Sequence, residues 1–316
     1  MKIALCFIIS YTHSLNKEEL WRKWIEKNQD ICNIYVHYKD KSLIQSEWLK
    51  QYALPAHMIC QTSYTHVVPA YMALMSYAAH HDSQNQWFCF LTESCVPIIS
   101  PRQFRRLFFQ HHKKSILQWR KAWWNIHYCR RANLHRFQEE FHLANDPWFV
   151  LKREDVQACI RYAKVNSSLF RIICDGAIAN ESIFAIMLHS MNKLHSVLPC
   201  ITHVTDWSRM SSATSPYVFK DGSPGDIEFI TTFIKKNPYS MFLRKVDASF
   251  PDKVLESFVI DKDTSSMMYY FYFYSSYFYS YYARCPFACI LFSIFVAGFL
   301  LILVSNTSSD LRIQYM

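Results

Sequence analysis

Residues 86–94 read QWFCFLTES, an unbroken apolar run from Trp87 to Leu91 closed by Thr92-Glu93-Ser94-Cys95, with Pro97 keeping the strand from running on. A strand wet on one face would alternate, so this run reads as a strand covered on both faces, the signature of a parallel sheet between helices. Upstream, residues 2–9 and ICNIYVH (31–37) read the same way. Between them Asn16-Lys17-Glu18-Glu19 opens a helical pattern with Leu20, Trp21, Trp24 and Ile25 on one face, and Val67–Ala79 forms a small-residue helix. Downstream, WFVL (148–151) is a further strand and Arg153-Glu154-Asp155-Val156 starts a helix. Asn180 is a plausible N-cap that puts Glu181 in the first turn of a helix ending near Met191, and another helix runs from Gly225 to Lys235. The expected fold class is α/β with a mostly parallel central sheet.

The chain has 316 residues, 51% hydrophobic and 19% charged, which excludes a disordered tail. Its formal charge of +9 favours anionic partners. With only 4 glycines and no GxGxxG or GxxxxGK[ST] string, any nucleotide must be held without a glycine-rich phosphate loop. Arg102–Arg136 holds ten Lys or Arg residues and no Asp or Glu, interleaved with aromatics. That stretch fits an acceptor groove, a face against anionic lipid, or a nucleic-acid surface.

Residues 285–304, CPFACILFSIFVAGFLLILV, carry no charge, and twenty residues of helix span roughly 30 Å, the thickness of a bilayer core. We expect a single-pass C-terminal transmembrane helix there, with an aromatic juxtamembrane segment over 267–284 and a short tail over 305–316. The N-terminal apolar run is too short to span and lacks a small-residue cleavage site. The simplest topology is therefore tail-anchored, with a catalytic domain over 1–250 and a polar linker over 251–266 on the cytosolic side. The 11 cysteines are odd in number and scattered, with no CxxC pair, as expected of reduced thiols.

Seven strings in order carry a resemblance: KIALCFI (2–8), IYVH (34–37), WFCFLTESCVPI (87–98), WFVLKREDV (148–156), NESIFAIML (180–188), DWSR (206–209) and FLRKV (242–246). Together they resemble the core-2/I-branching N-acetylglucosaminyltransferase family, with its plant members and the related peptide xylosyltransferases. The resemblance implies a GT-A-like nucleotide-sugar transferase that inverts the anomeric centre without a metal or other cofactor. It implies a UDP-sugar donor, UDP-N-acetylglucosamine in the first instance, and a glycan or glycoprotein acceptor. Glu181 matches the family's catalytic glutamate, with Asn180 in place of an aspartate. Lys245, with Arg244 beside it, falls where the family contacts the donor diphosphate. Trp207 matches a tryptophan near the sugar, with Arg209 beside it as a further sugar or acceptor contact, and the family's second basic residue has no counterpart here unless Arg209 or Lys220 substitutes.

Open α/β sheets bind nucleosides at the carboxyl ends of their strands, which points to His37 and Asp40 for the donor nucleoside and to Glu93 and Cys95 at the sugar or acceptor. Trp148 and Arg153 read first as structural. A literal Asp-x-Asp, Asp261-Lys262-Asp263, lies past the last matched string and reads as linker. No metal site is expected. Two rivals stay open: a catalytically degenerate membrane-tethered glycan- or nucleotide-binding protein, and a basic nucleic-acid-binding membrane protein using 102–136. Nucleic acid is not the expected partner.

Overall fold

A computed structural model describes residues 1–212 and 214–261. In chain order the elements are β1 (Lys2–Ile8), α1 (Glu18–Glu26), β2 (Cys32–His37), α2 (Glu47–Lys50), α3 (Val68–His81), β3 (Asn85–Thr92), β4 (Val96–Pro97), α4 (Pro101–His111), β5 (Trp119–Lys121), α5 (Ile126–Cys129), β6 (Leu143–Asn145) and β7 (Val150–Lys152). Then come α6 (Arg153–Val165), α7 (Ser167–Cys174), α8 (Ile183–Ser190), β8 (His203–Val204), α9 (Pro224–Lys236), β9 (Phe242–Leu243) and α10 (Asp252–Val259).

The central sheet has the order β2-β1-β3-β7, with β1 parallel to both neighbours and β7 antiparallel at the edge. Alternate residues of β1 enter two different cores: Ala4, Cys6 and Ile8 face Leu74, Met75 and Phe184 on one side, and Ile3, Leu5 and Phe7 face Trp21 and Trp24 on the other. Burial on both faces is why these strands read as unbroken apolar runs. This parallel-rich α/β arrangement fits the GT-A-like fold expected. A second sheet, β4-β9-β8, brings residues far apart in sequence beside the end of β3. The Val246 N–H donates to the Ser94 carbonyl at 2.9 Å, and the Phe219 N–H donates to the Lys245 carbonyl at 2.9 Å. Arg244 and Lys245 are thereby bracketed by two backbone partners.

Three expectations are revised. Asn180 caps no helix: Ile178 takes a left-handed φ of 56°, residues Ala179–Glu181 make a single 3₁₀ turn, and α8 starts only at Ile183. Residues 252–259 are not linker but α10, which buries Val254 and Leu255 in a core shared with Leu20, while Lys17 Nζ donates to Asp252 Oδ1 at 2.7 Å. The basic stretch 102–136 is not one surface either, being divided among α4, β5, α5 and a 3₁₀ segment. Phe104 and Phe108 go to the core, and Arg105 pairs with Asp30 at 2.6 Å. The expected membrane span 285–304, the aromatic segment 267–284, the tail 305–316 and Asp263 lie outside the described residues. No helix among the described residues is long and apolar enough to cross a membrane.

Candidate active site

The chemistry-bearing side chains gather where β3 ends, around the ring of Trp148. Arg244 lies over that ring, its guanidinium carbon 4.3 Å from the centroid, a distance at which the cation is held by the ring face. Lys245 is next in the chain, and its Nζ donates to Ser215 Oγ at 2.8 Å. Glu93, on the turn leaving β3, feels both cations: burial raises its pKa, and Arg244 and Lys245 work against that rise. Burial lowers the pKa of the Lys245 ammonium, Arg244 lowers it further and Glu93 opposes both. Two adjacent partly buried cations with one carboxylate within range of both make a net positive patch suited to a diphosphate.

Glu181 closes the site from the turn before α8. Its Oε2 accepts from Arg131 Nη1 at 3.2 Å, both side chains being about one quarter exposed. Burial raises the Glu181 pKa above the ordinary glutamate range; Arg131 lowers it, Asp146 raises it and Arg244 lowers it. Tyr71 ties the two halves together, since its ring hydroxyl feels Arg244 and Glu181 at once and donates to the Pro147 carbonyl at 2.7 Å.

Arg131 reaches Glu181 because two backbones meet closely. A Cβ on Gly176 would lie 2.4 Å from the Asn133 nitrogen and 2.6 Å from the Ala132 carbonyl carbon, so only glycine permits this approach. The Ala132 N–H then donates to the Ala177 carbonyl at 3.0 Å, and Asn133 Nδ2 to the Ile172 carbonyl at 2.8 Å.

The remaining expected residues have different roles, and no contact joins His37, Asp40, Arg209 or Arg153 to Glu181, Arg244 or Lys245 among the described residues. His37 is buried at the end of β2, with Nδ1 3.3 Å from Ser10 Oγ and Nε2 accepting the Cys60 N–H at 3.3 Å. Burial drops its pKa to about 4, so it is a neutral ring holding loops together. Asp40 is exposed, and its carboxylate accepts from the N–H and hydroxyl of Ser42. Trp207 is 54% exposed on the loop leaving β8, the strand beside β9. Cys95 is fully buried, its sulfur accepting the Thr92 N–H at 3.3 Å, which makes it a wall of the turn rather than a sugar contact. Arg209, expected at the sugar or as a substitute diphosphate contact, is committed to the fold. It donates to Asp206 at 2.6 Å and to Asp226 at 2.8 Å and lies 4.0 Å over the Tyr217 ring. Arg153 donates to the carbonyls of Ala79, Asp82 and Asn85 and is structural.

Asp146 and Arg131 join the site without having been singled out. Glu181 is the only acid between Asp175 and Asp206, and 102–136 has no acid at all, a signal that any carboxylate partners of its cations lie elsewhere in the chain. Asp146 lies within range of the Glu181 charge, and burial raises its pKa to about 6, Arg120 opposing the rise. Its folded pKa therefore exceeds the unfolded one, so stability falls as pH rises from about 4 through about 6. Asp146→Asn should raise unfolding stability at pH 7.5 by about 1–3 kcal/mol, and the gain should vanish near pH 4, as checked by urea denaturation at both pH values.

Among the described residues no group of three or more His, Cys, Asp or Glu side chains is gathered as a metal site. A protein-family model described as Core-2/I-Branching enzyme matches residues 4–231. The match includes Glu93, Arg131, Asp146 and Glu181 and stops before Arg244 and Lys245. No curated protein matches the chain.

Proposed function

The chain belongs to the core-2/I-branching enzyme family of glycosyltransferases, and from that premise we propose an inverting, metal-independent transfer of N-acetylglucosamine from UDP-N-acetylglucosamine to an acceptor hydroxyl. The observation that carries this reading is the pairing of a partly buried, arginine-held carboxylate, Glu181, with the Arg244–Lys245 cation pair in one site. Glu181 takes the proton of the acceptor hydroxyl as its oxygen attacks the anomeric carbon. The bond from that carbon to the phosphate oxygen breaks on the opposite face, and UDP leaves with the electron pair. Charge growing on the departing phosphate is met by Arg244 and Lys245, the role a divalent ion fills in other sites. Trp207, Glu93 and the Trp148 ring border the sugar, and the nucleoside lies toward His37 and Asp40 at the ends of β1 and β2. Membrane attachment through 285–304 belongs to the same proposal.

Turnover of a panel of nucleotide sugars by the full chain, with and without EDTA, tests it. One UDP-sugar should be turned over equally in both conditions; loss of turnover in EDTA would overturn the metal-free step.

The pH profile supplies a second test. A base with a raised pKa must lose its proton before it works, so kcat/KM should fall on the acid side at a pH above the ordinary glutamate range. Removing the Arg131 charge removes a cause that lowers the Glu181 pKa. Arg131→Met should therefore move the acid limb to higher pH, whereas an unmoved limb would show that Glu181 does not set it.

A further inference from the structure

The backbone at Asp146 and the turn that carries Glu181 are tied together by a single side chain. Asn145, only 2% exposed, donates from Nδ2 to the Asn180 carbonyl at 2.9 Å and to the Asp146 carbonyl at 3.0 Å. Its Oδ1 accepts the Ala185 N–H at 3.1 Å, so the clamp also reaches the first turn of α8. The Asp146 N–H donates to the Gln118 carbonyl at 2.9 Å, which pins the turn to the segment leading into β5. Glu181 feels the Asp146 charge, together with those of Arg131 and Arg244.

Asp146 is set apart by its carboxylate. The deeply buried aspartates of this fold all have donors: Asp155 from Ser115, Asp206 from Ser208 and Arg209, Asp226 from Arg209. No N–H or O–H of the described residues donates to the Asp146 carboxylate, which burial raises in pKa and which interacts with the charges of Arg120 and Glu181. Arg120 itself lies over the Trp123 ring at 3.9 Å. Asp146 is only partly buried, so its carboxylate, with no donor from the fold, is open to accept a hydrogen bond from a bound ligand.

Resting on the reading of Glu181 as the base, we propose that Asp146 is a specificity-determining residue that accepts a hydrogen bond from a second acceptor hydroxyl, neighbouring the one that attacks. The acceptor is then a sugar ring presenting two adjacent hydroxyl groups, not an isolated serine or threonine hydroxyl. Glu181 takes the proton of one hydroxyl while Asp146 orients the other, and the Asn145 clamp ties together the two backbone segments that carry them.

The test measures transfer to a panel of methyl hexopyranosides, their monodeoxy analogues and a serine-containing peptide, using the full chain as wild type, Asp146→Ala and Asp146→Asn. On the preferred hexoside, Asp146→Ala should lose roughly 10- to 100-fold in kcat/KM. The wild type should lose a similar factor on the one analogue lacking the neighbouring hydroxyl, and Asp146→Ala should no longer distinguish that analogue from its parent. Undiminished discrimination by the variant would overturn the proposal, as would transfer to the peptide in preference to every hexoside or to no hexoside at all. Asp146→Asn, expected to be more stable than wild type at pH 7.5, separates these effects from misfolding and should keep part of the discrimination through its amide oxygen. A Glu181→Gln variant that transfers at the wild-type rate in the same assay would instead sink the base assignment, a failure visible without the Asp146 variants.

Discussion

Glu181→Gln should lower transfer by about 10²- to 10⁴-fold while leaving UDP binding within a few fold of wild type, the range that a positioned general base contributes. The amide is nearly the size of the carboxylate and its oxygen can still accept from Arg131 Nη1, now 3.2 Å from Glu181 Oε2, so the turn before α8 keeps its shape. The amide cannot, however, take the proton. Single-turnover transfer together with UDP titration separates the two quantities. A loss below tenfold in transfer, or a parallel loss in UDP binding, would remove Glu181 from the role of base.

Lys245→Ala should lower kcat by about 10²- to 10³-fold, the effect of deleting one preorganised charge aimed at the leaving group. Lys245 lies between two backbone hydrogen bonds, Val246 to Ser94 and Phe219 to Lys245, and neither uses its side chain. The substitution therefore removes the ammonium and its contact to Ser215 and spares the β9 framework. Unlike the base variant, it should also weaken UDP binding, since the charge meets the diphosphate in both ground and transition states. Unchanged kcat and UDP affinity would leave Arg244 alone as the leaving-group partner. Restoration of activity by added divalent metal would show that the ammonium stands in for such an ion.

The parts of the fold set by local pattern were legible in the sequence, and those set by long-range pairing were not. β1 and β3 announce themselves because both faces are buried, and α1 does so because Leu20, Trp21, Trp24 and Ile25 recur at helical spacing. The helix at 252–259 was hidden because its apolar residues Val254, Leu255, Phe258 and Val259 form two short pairs split by Glu256 and Ser257, and only the first pair is buried. Arg209 looked available for a ligand because Asp226, its second carboxylate, is seventeen residues away and approaches only through α9. Glu181 stands out through the ordered strings, whereas the helix-cap argument for it fails, because the left-handed Ile178 commits the residues after it to a 3₁₀ turn. Asp146 had no local signal beyond a carboxylate at the mouth of a strand. Its meaning lies in the missing donor, which only three-dimensional neighbours reveal.

The insertion of β9 between β4 and β8 has a consequence for biosynthesis. The ribosome delivers Glu93 and Glu181 long before Arg244 and Lys245, and those two reach the end of β3 only when β9 slots between strands already made. Asn16 Nδ2 then donates to the Val246 carbonyl at 2.7 Å, closing the first loop onto the last strand. On the reading proposed above, a nascent chain thus carries the base and the nucleoside end of the site before it has the two cations that meet the diphosphate. The diphosphate contacts are completed in one step when β9 is made, and chains ending before Phe242 should bind UDP far more weakly than the full chain.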